Sequence, residues 1–431
     1  GMRFLGAERL SDNMDWIYGW RPLEGESLSR IVAMTSPDVD RFDRRRLAGL
    51  AAAIGAISAV GTSLSLGMPL LAVIMEQRGH SSSVIGLVTT AAGVAALLST
   101  PFVPMLTRRF GAAWVLLVAV VLGTLTFPLF YVFDSIAVWF VLRFVFSLCL
   151  NTAFIVSEFW INALAPAEKR GFVMGVYATI LSVGFAVGPA ILSLIGSEGW
   201  LPFAIGTGLM AVSILPIIAG FRADPPMHEG KGGNFLHFLT VVPLATFAAF
   251  TVGAVESSVM SFSPVYGLRL GYSEQVAALL VMAVAVGNIV AQLPLGMLSD
   301  RMDRRRLLLY IALGGIASGG LVAAVSSHPF FLMATIGLWG GLVTGLYAVG
   351  LTHLGARLSG SDLASANAAF IFMYSVGMLV GPAATGAGMD AIGPQGLVVV
   401  TALILAGYAG FAFRRIRKVP EPNMEGSSSS S

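Results

Sequence analysis

Ser182-Val-Gly-Phe-Ala-Val-Gly-Pro-Ala190 returns, altered at two positions, as Ser375-Val-Gly-Met-Leu-Val-Gly-Pro-Ala383, an offset of 193 residues. A second pair, Met105-Leu-Thr-Arg-Arg109 and Met297-Leu-Ser-Asp-Arg301, repeats at an offset of 192. Two separate segments at nearly one offset predict a duplicated unit. Around them lie 12 apolar runs, near 48–75, 84–106, 113–133, 136–164, 171–196, 201–221, 237–263, 276–298, 306–326, 330–357, 364–389 and 395–413. A helix of about 20 apolar residues crosses about 30 Å of hydrocarbon, so each run is a candidate span. Six spans fall in each copy. Paired six-helix halves around a midplane site are an architecture of alternating-access transporters.

Composition points the same way. Of the 431 residues, 56% are apolar and 11% charged, with a mean hydropathy of +0.82. Soluble domains carry about 25% charged residues. An ordinary water-soluble enzyme, a disordered chain and a disulfide scaffold are thereby excluded. The single cysteine, Cys149, allows no internal disulfide and suggests no thiol metal site. The net charge of +3 comes from short basic clusters between apolar runs and does not indicate nucleic-acid binding.

The expected organisation is an all-α membrane protein of 12 transmembrane helices in two pseudo-symmetric six-helix halves. Residues 1–46 form a polar tail with no apolar h-region of a signal peptide, and Met34 is read as the native start. The first half is 47–221, a linker with Pro225 and Pro226 covers 222–236, and the second half is 237–413. Residues 414–431 end in a serine run and are expected to be disordered.

Charge sets the orientation. Nineteen basic residues, from Arg41 to Lys418, fall on one face, and only Arg78 and Arg269 on the other. The positive-inside rule puts the basic face and both termini in the cytoplasm.

Gly296-Met-Leu-Ser-Asp-Arg-Met-Asp-Arg-Arg-Arg306 resembles the loop signature of the major facilitator superfamily and stands between spans 8 and 9, as in that superfamily. The first-half copy is degenerate, with Pro104 and Arg108 at the Gly and Asp positions. Arg143 matches the superfamily's span-4 arginine, although Ser147 replaces the usual following Gly. Ser157-Glu-Phe-Trp-Ile-Asn162, followed by Lys169-Arg-Gly171, is similar to the YcaD-like branch. The resemblance covers roughly residues 45–415. It implies an inner-membrane secondary transporter. It also makes the loop after span 8 a gate latch. There Asp300 is expected to meet the positive N-terminal end of a neighbouring helix, and Arg301 or Arg304 to pair with Asp362. By pseudo-symmetry, Arg109 would pair with Glu168.

Polar residues inside apolar spans are the candidate site. Arg143, Ser147, Asn151, Glu158 and Asn162 of span 4 fall within about 100° of arc at helical spacing. Charge facing lipid is costly, so this stripe faces the bundle or water. Glu158, and Glu256 in the outer part of span 7, are candidate proton carriers, because hydrocarbon disfavours an ionised carboxylate. Arg143 is expected to hold Glu158 ionised or to bind a substrate carboxylate. The alternative for all three is a purely structural anchor between helices. His353 is either an interfacial anchor or a functional group. Asn288, Gln292 and Asn367 either line a cavity or hydrogen-bond between helices. Gly184, Gly188 and Pro189, with their copies Gly377, Gly381 and Pro382, predict close helix packing. The span-5 version resembles an antiporter motif and favours efflux, and the second copy favours packing.

These residues fit a secondary-active, proton-coupled transporter of a small organic solute, a monomer in lipid. Import of a metabolite and a transport-inactive sensor are the alternatives. No P-loop or hydrolase elbow occurs, and no enzyme activity, cofactor or metal is expected.

The orientation is directly testable. A cysteine placed in the 78–82 loop should react with an impermeant thiol reagent from outside intact cells, and one placed in 302–305 should not. Reversed labelling would overturn the orientation.

Overall fold

The computed structural model describes residues 44–165, 169–221, 235–358 and 360–418. Among these described residues are 12 helices long and apolar enough to cross a membrane. In chain order they are α1 (Arg44–Gln77), α2 (Ser82–Phe110), α3 (Ala112–Thr126, extended by a turn at Leu129–Val132), α4 (Ile136–Leu164), α5 (Arg170–Ile195) and α6 (Leu201–Gly220), and in the second half α7 (Pro243–Arg269), α8 (Glu274–Arg301), α9 (Arg304–Ala324), α10 (Pro329–Gly355), α11 (Gly360–Ile392) and α12 (Gly396–Lys418). The expected tails and linker lie mostly outside the described residues. The linker's expected end, Phe235 and Leu236, instead begins a helical turn that leads into α7.

The duplication extends to details of the turns. Gly79, between α1 and α2, has φ 78°, and Gly271, between α7 and α8, has φ 86°. Side chains disfavour this left-handed region, and glycine does not. Two residues later, Ser81 and Ser273 each accept a hydrogen bond from the backbone three positions on, capping α2 and α8.

Within each half, small residues set the helix spacing. Gly184 and Gly188 of α5 lie against Ser58, Thr62 and Ser65 of α1. Their copies Gly377 and Gly381 of α11 lie against the backbone of Phe250 and Ala254 of α7. Gly287 of α8 meets Gly337 and Gly341 of α10. The repeated motif is thus a packing surface in both halves.

Between the halves, α2 packs on α11 and α5 on α8. The contact is uneven along the helices. In the half of α8 away from the arginines, most positions from Ala277 to Ala285 are buried. In its basic half, only Leu295 and Ser299 are. The basic-end parts of α2 and α5 likewise thin to single seams, Val103 with Thr107 and Val173 with Tyr177. The halves are closed at the end opposite the arginines and parted at the basic end.

Gly377→Ala should lower the unfolding midpoint, because its methyl group would collide with the α7 backbone. Overpacking costs about 1–3 kcal/mol. Gly407→Ala, with open space around it, should keep or raise the midpoint, since alanine is favoured in helices by about 1 kcal/mol. Equal effects in a thermal unfolding assay would refute the packing role.

Candidate functional site

Two helices from opposite halves bring the charged residues to the centre. Arg143 lies about two turns into α4. It is 3% exposed, and its Nη1 has no hydrogen-bond partner among the described residues. Glu256 stands midway between Pro243 and Arg269, at the middle of α7 and not in the outer part expected from sequence. Both line one cavity of about 220 Å³ between the halves, with Ser147 and Asn151 of α4 and Tyr374 of α11. The Tyr374 hydroxyl donates to Glu256 Oε2 at 3.0 Å. The rest of the wall is largely apolar and includes Phe154, Phe185 and Met260. Arg143 and Glu256 form no ion pair with each other.

The stripe on α4 therefore divides. Arg143, Ser147 and Asn151 face the cavity. Glu158, further toward the basic end, is exposed and accepts a hydrogen bond from the Tyr177 hydroxyl of α5 at 3.2 Å. Asn162 donates to the backbone carbonyl of Glu158 at 3.0 Å. Arg143 shares its cavity with Glu256 and not with Glu158.

Other candidates lie elsewhere. Asn288 sits beside Gly340 of α10. Gln292 and Asn367 are exposed, and none of the three lines the central cavity. His353 is 5% exposed and lines a second cavity, of about 490 Å³, at the basic end. Asp300, Arg301, Arg304 and Arg357 line the same cavity. Asp300 is exposed, and α9 is capped by Asp303, whose carboxylate accepts from the Arg305 backbone at 2.9 Å. Among the described residues, neither Arg301 nor Arg304 pairs with Asp362 in this parted state. Arg109 stacks over Phe110 at 5.4 Å, and Glu168 lies outside the described residues.

The polar links between the halves gather at the opposite end. Arg269 of α7 grips Glu76 of α1 through two hydrogen bonds, of 2.7 and 2.9 Å. The two residues are 193 positions apart, the repeat offset itself, so they occupy equivalent sites in the two halves. Glu274 accepts from the Ser197 hydroxyl at 2.8 Å and also meets Gln77. Asp390 accepts from the backbone of Ser82 and Ser83 at 2.8 Å each and so caps α2 from across the interface. Sequence reading missed this network, along with Tyr177 and Tyr374. For Glu76 and Arg269 the signal was there, as opposite charges at the repeat offset.

The family model described as Major Facilitator Superfamily matches residues 51–285 and 245–430. The uncharacterised MFS-type transporter YfkF of Bacillus subtilis (strain 168) is 27% identical over 336 residues, which cover 77% of this chain and 86% of that protein. The uncharacterised MFS-type transporter YcaD of Escherichia coli O45:K1 is 23% identical over 290 residues, 66% of this chain and 74% of that one. Among solved structures, a mutant form of the nucleoside transporter NupG superposes with a TM-score of 0.74 at 13% identity, over 86% of this chain and 99% of that one. That likeness is one of fold.

Removing the Glu76–Arg269 link should favour opening at its end of the molecule. Hydrogen bonds to charged groups contribute about 1.5–3 kcal/mol. With spin labels at Glu198 and His328, both exposed at that end, Glu76→Gln should lengthen the interspin distances. An unchanged distribution would show that the link does not hold the halves.

Proposed function

This chain belongs to the Major Facilitator Superfamily, and we propose that it is a proton-coupled secondary transporter that binds a small organic solute in the cavity between its halves. The observation that carries the reading is the cavity itself. One half contributes Arg143 and the other contributes Glu256, in a wall that is otherwise largely apolar. A solute held there touches both halves, so its binding free energy depends on how the halves are set against each other.

In this reading the arginine-rich end faces the cytoplasm of a cell whose inner (plasma) membrane holds the protein. The form described is the one open to the cytoplasm. Opening the other side requires breaking the Glu76–Arg269, Glu274–Ser197 and Asp390–Ser82 links and closing the basic end. The Asp300, Arg301 and Arg304 cluster is the proposed latch for that second state. Glu256 in the central cavity and Glu158 nearer the basic end are wetted differently in the two states. A proton site whose affinity differs between states couples proton movement to the conformational change. Efflux rests on the span-5 motif alone. Because the α11 copy packs on α7 in the same way, the proposal carries no direction of transport.

Replacement of a carboxylate by glutamine keeps its size and removes titration. In proteoliposomes, Glu256→Gln or Glu158→Gln should abolish solute accumulation driven by a proton gradient, and Glu158→Gln, which lies outside the central cavity, should leave exchange between equal solute pools intact. Accumulation by both variants would show that neither acid couples transport to protons.

A further inference from the structure

We propose that the solute is a small zwitterion with an apolar body, its carboxylate held by Arg143 and its ammonium group by Glu256. The inference rests on the reading of the central cavity as the solute site. Three observations carry it. First, Arg143 is almost wholly buried and its Nη1 has no hydrogen-bond partner among the described residues, so a donor of a permanently charged group is left unsatisfied beside the cavity. Such a donor calls for an anionic acceptor, and a carboxylate matches the planar guanidinium through two parallel hydrogen bonds. Second, Glu256 faces the same cavity without pairing with Arg143, although a direct pair would offset the cost of burying both. Opposite charges that share a cavity and do not touch leave room for a molecule with the complementary arrangement. Third, the remaining wall presents mainly aliphatic, thioether and aromatic surface, and the volume of about 220 Å³ limits the occupant to a small molecule.

The charges divide the work. Tyr374 donates to Glu256 Oε2 at 3.0 Å, which fixes the carboxyl group and leaves Oε1 for the ligand. Asn151 offers both a donor and an acceptor on the Arg143 side. A molecule with only a carboxylate would satisfy Arg143 and leave Glu256 unmatched, and one with only an amine would do the reverse. Proton and ammonium group occupy the Glu256 carboxyl in turn, so the assignment is compatible with Glu256 as a coupling acid.

Two matched sets of compounds test this on the purified full chain in lipid nanodiscs, by calorimetry. One set is leucine, 4-methylpentanoate and isopentylamine. The other is phenylalanine, 3-phenylpropanoate and phenethylamine. Each zwitterion is expected to bind at least about tenfold more tightly than its one-charge relatives, a difference of about 1.4 kcal/mol. Glu256→Gln should erase the preference over the carboxylate. Arg143→Lys, which keeps the charge, should retain more of the zwitterion affinity than Arg143→Gln. The proposal is overturned if a carboxylate or an amine binds as tightly as its zwitterion, or if no member of either set binds. Counterflow in proteoliposomes separates the two readings. Zwitterion binding without counterflow would leave this site standing and remove the transport reading. Counterflow of a carboxylate alone would keep transport and overturn the zwitterion assignment.

Discussion

Hydrocarbon gives one apolar helix no hydrophobic drive to leave lipid for another, so association rests on close van der Waals contact and hydrogen bonds. The glycines of this chain meet that constraint where it matters. Gly184 and Gly188 seat α5 on α1, Gly377 and Gly381 seat α11 on α7, and Gly287 brings α8 onto α10. Because these contacts involve backbone and short side chains, they have little slack. Each half is therefore a stiff body, and freedom is left at the junction between halves. There α5 and α8 are buried together at one end and thin to single seams at the other. A junction tight at one end and parted at the other can rock without repacking either half.

The fold was legible in the sequence because membrane spans follow a simple rule of length and polarity, and because duplication writes itself into the chain. The repeat at 182–190 and 375–383 foretold the two halves and their packing surfaces. Arg143, Asn151 and Glu256, which line one cavity, were also singled out in the sequence, because charge in an apolar run is costly. Their grouping was not. Helical spacing put Glu158 on the same stripe as Arg143, but whether two residues share a cavity depends on where the neighbouring helix parts, which one helix's periodicity cannot reveal. The amides stayed open between a cavity and a neighbouring helix for a related reason. Asn288 lies against α10 and Gln292 and Asn367 are exposed, which an amide in an apolar run does not reveal by itself. Tyr374 and Tyr177 escaped notice because a tyrosine in an apolar run reads as packing until its hydroxyl is seen to meet a carboxylate.

Symmetry explains the closed end and its absence explains the site. Glu76 and Arg269 hold equivalent positions in the two copies, so a pair straddling the pseudo-two-fold axis needed only that one copy become acidic and the other basic. The central cavity departs from symmetry in the same way. At the repeat offset of 193, Glu256 corresponds to Ser63, whose hydroxyl donates to the Gly206 carbonyl at 3.0 Å, and Arg143 corresponds to the buried Ile336. The first half therefore presents positive charge to the cavity and the second half negative charge. The two groups line one cavity without forming a pair. In the proposed reading, a ligand with both charges spans the gap between them. The asymmetry of two residues thus gives a symmetric frame both a preferred ligand orientation and a reason for its halves to respond to what lies between them.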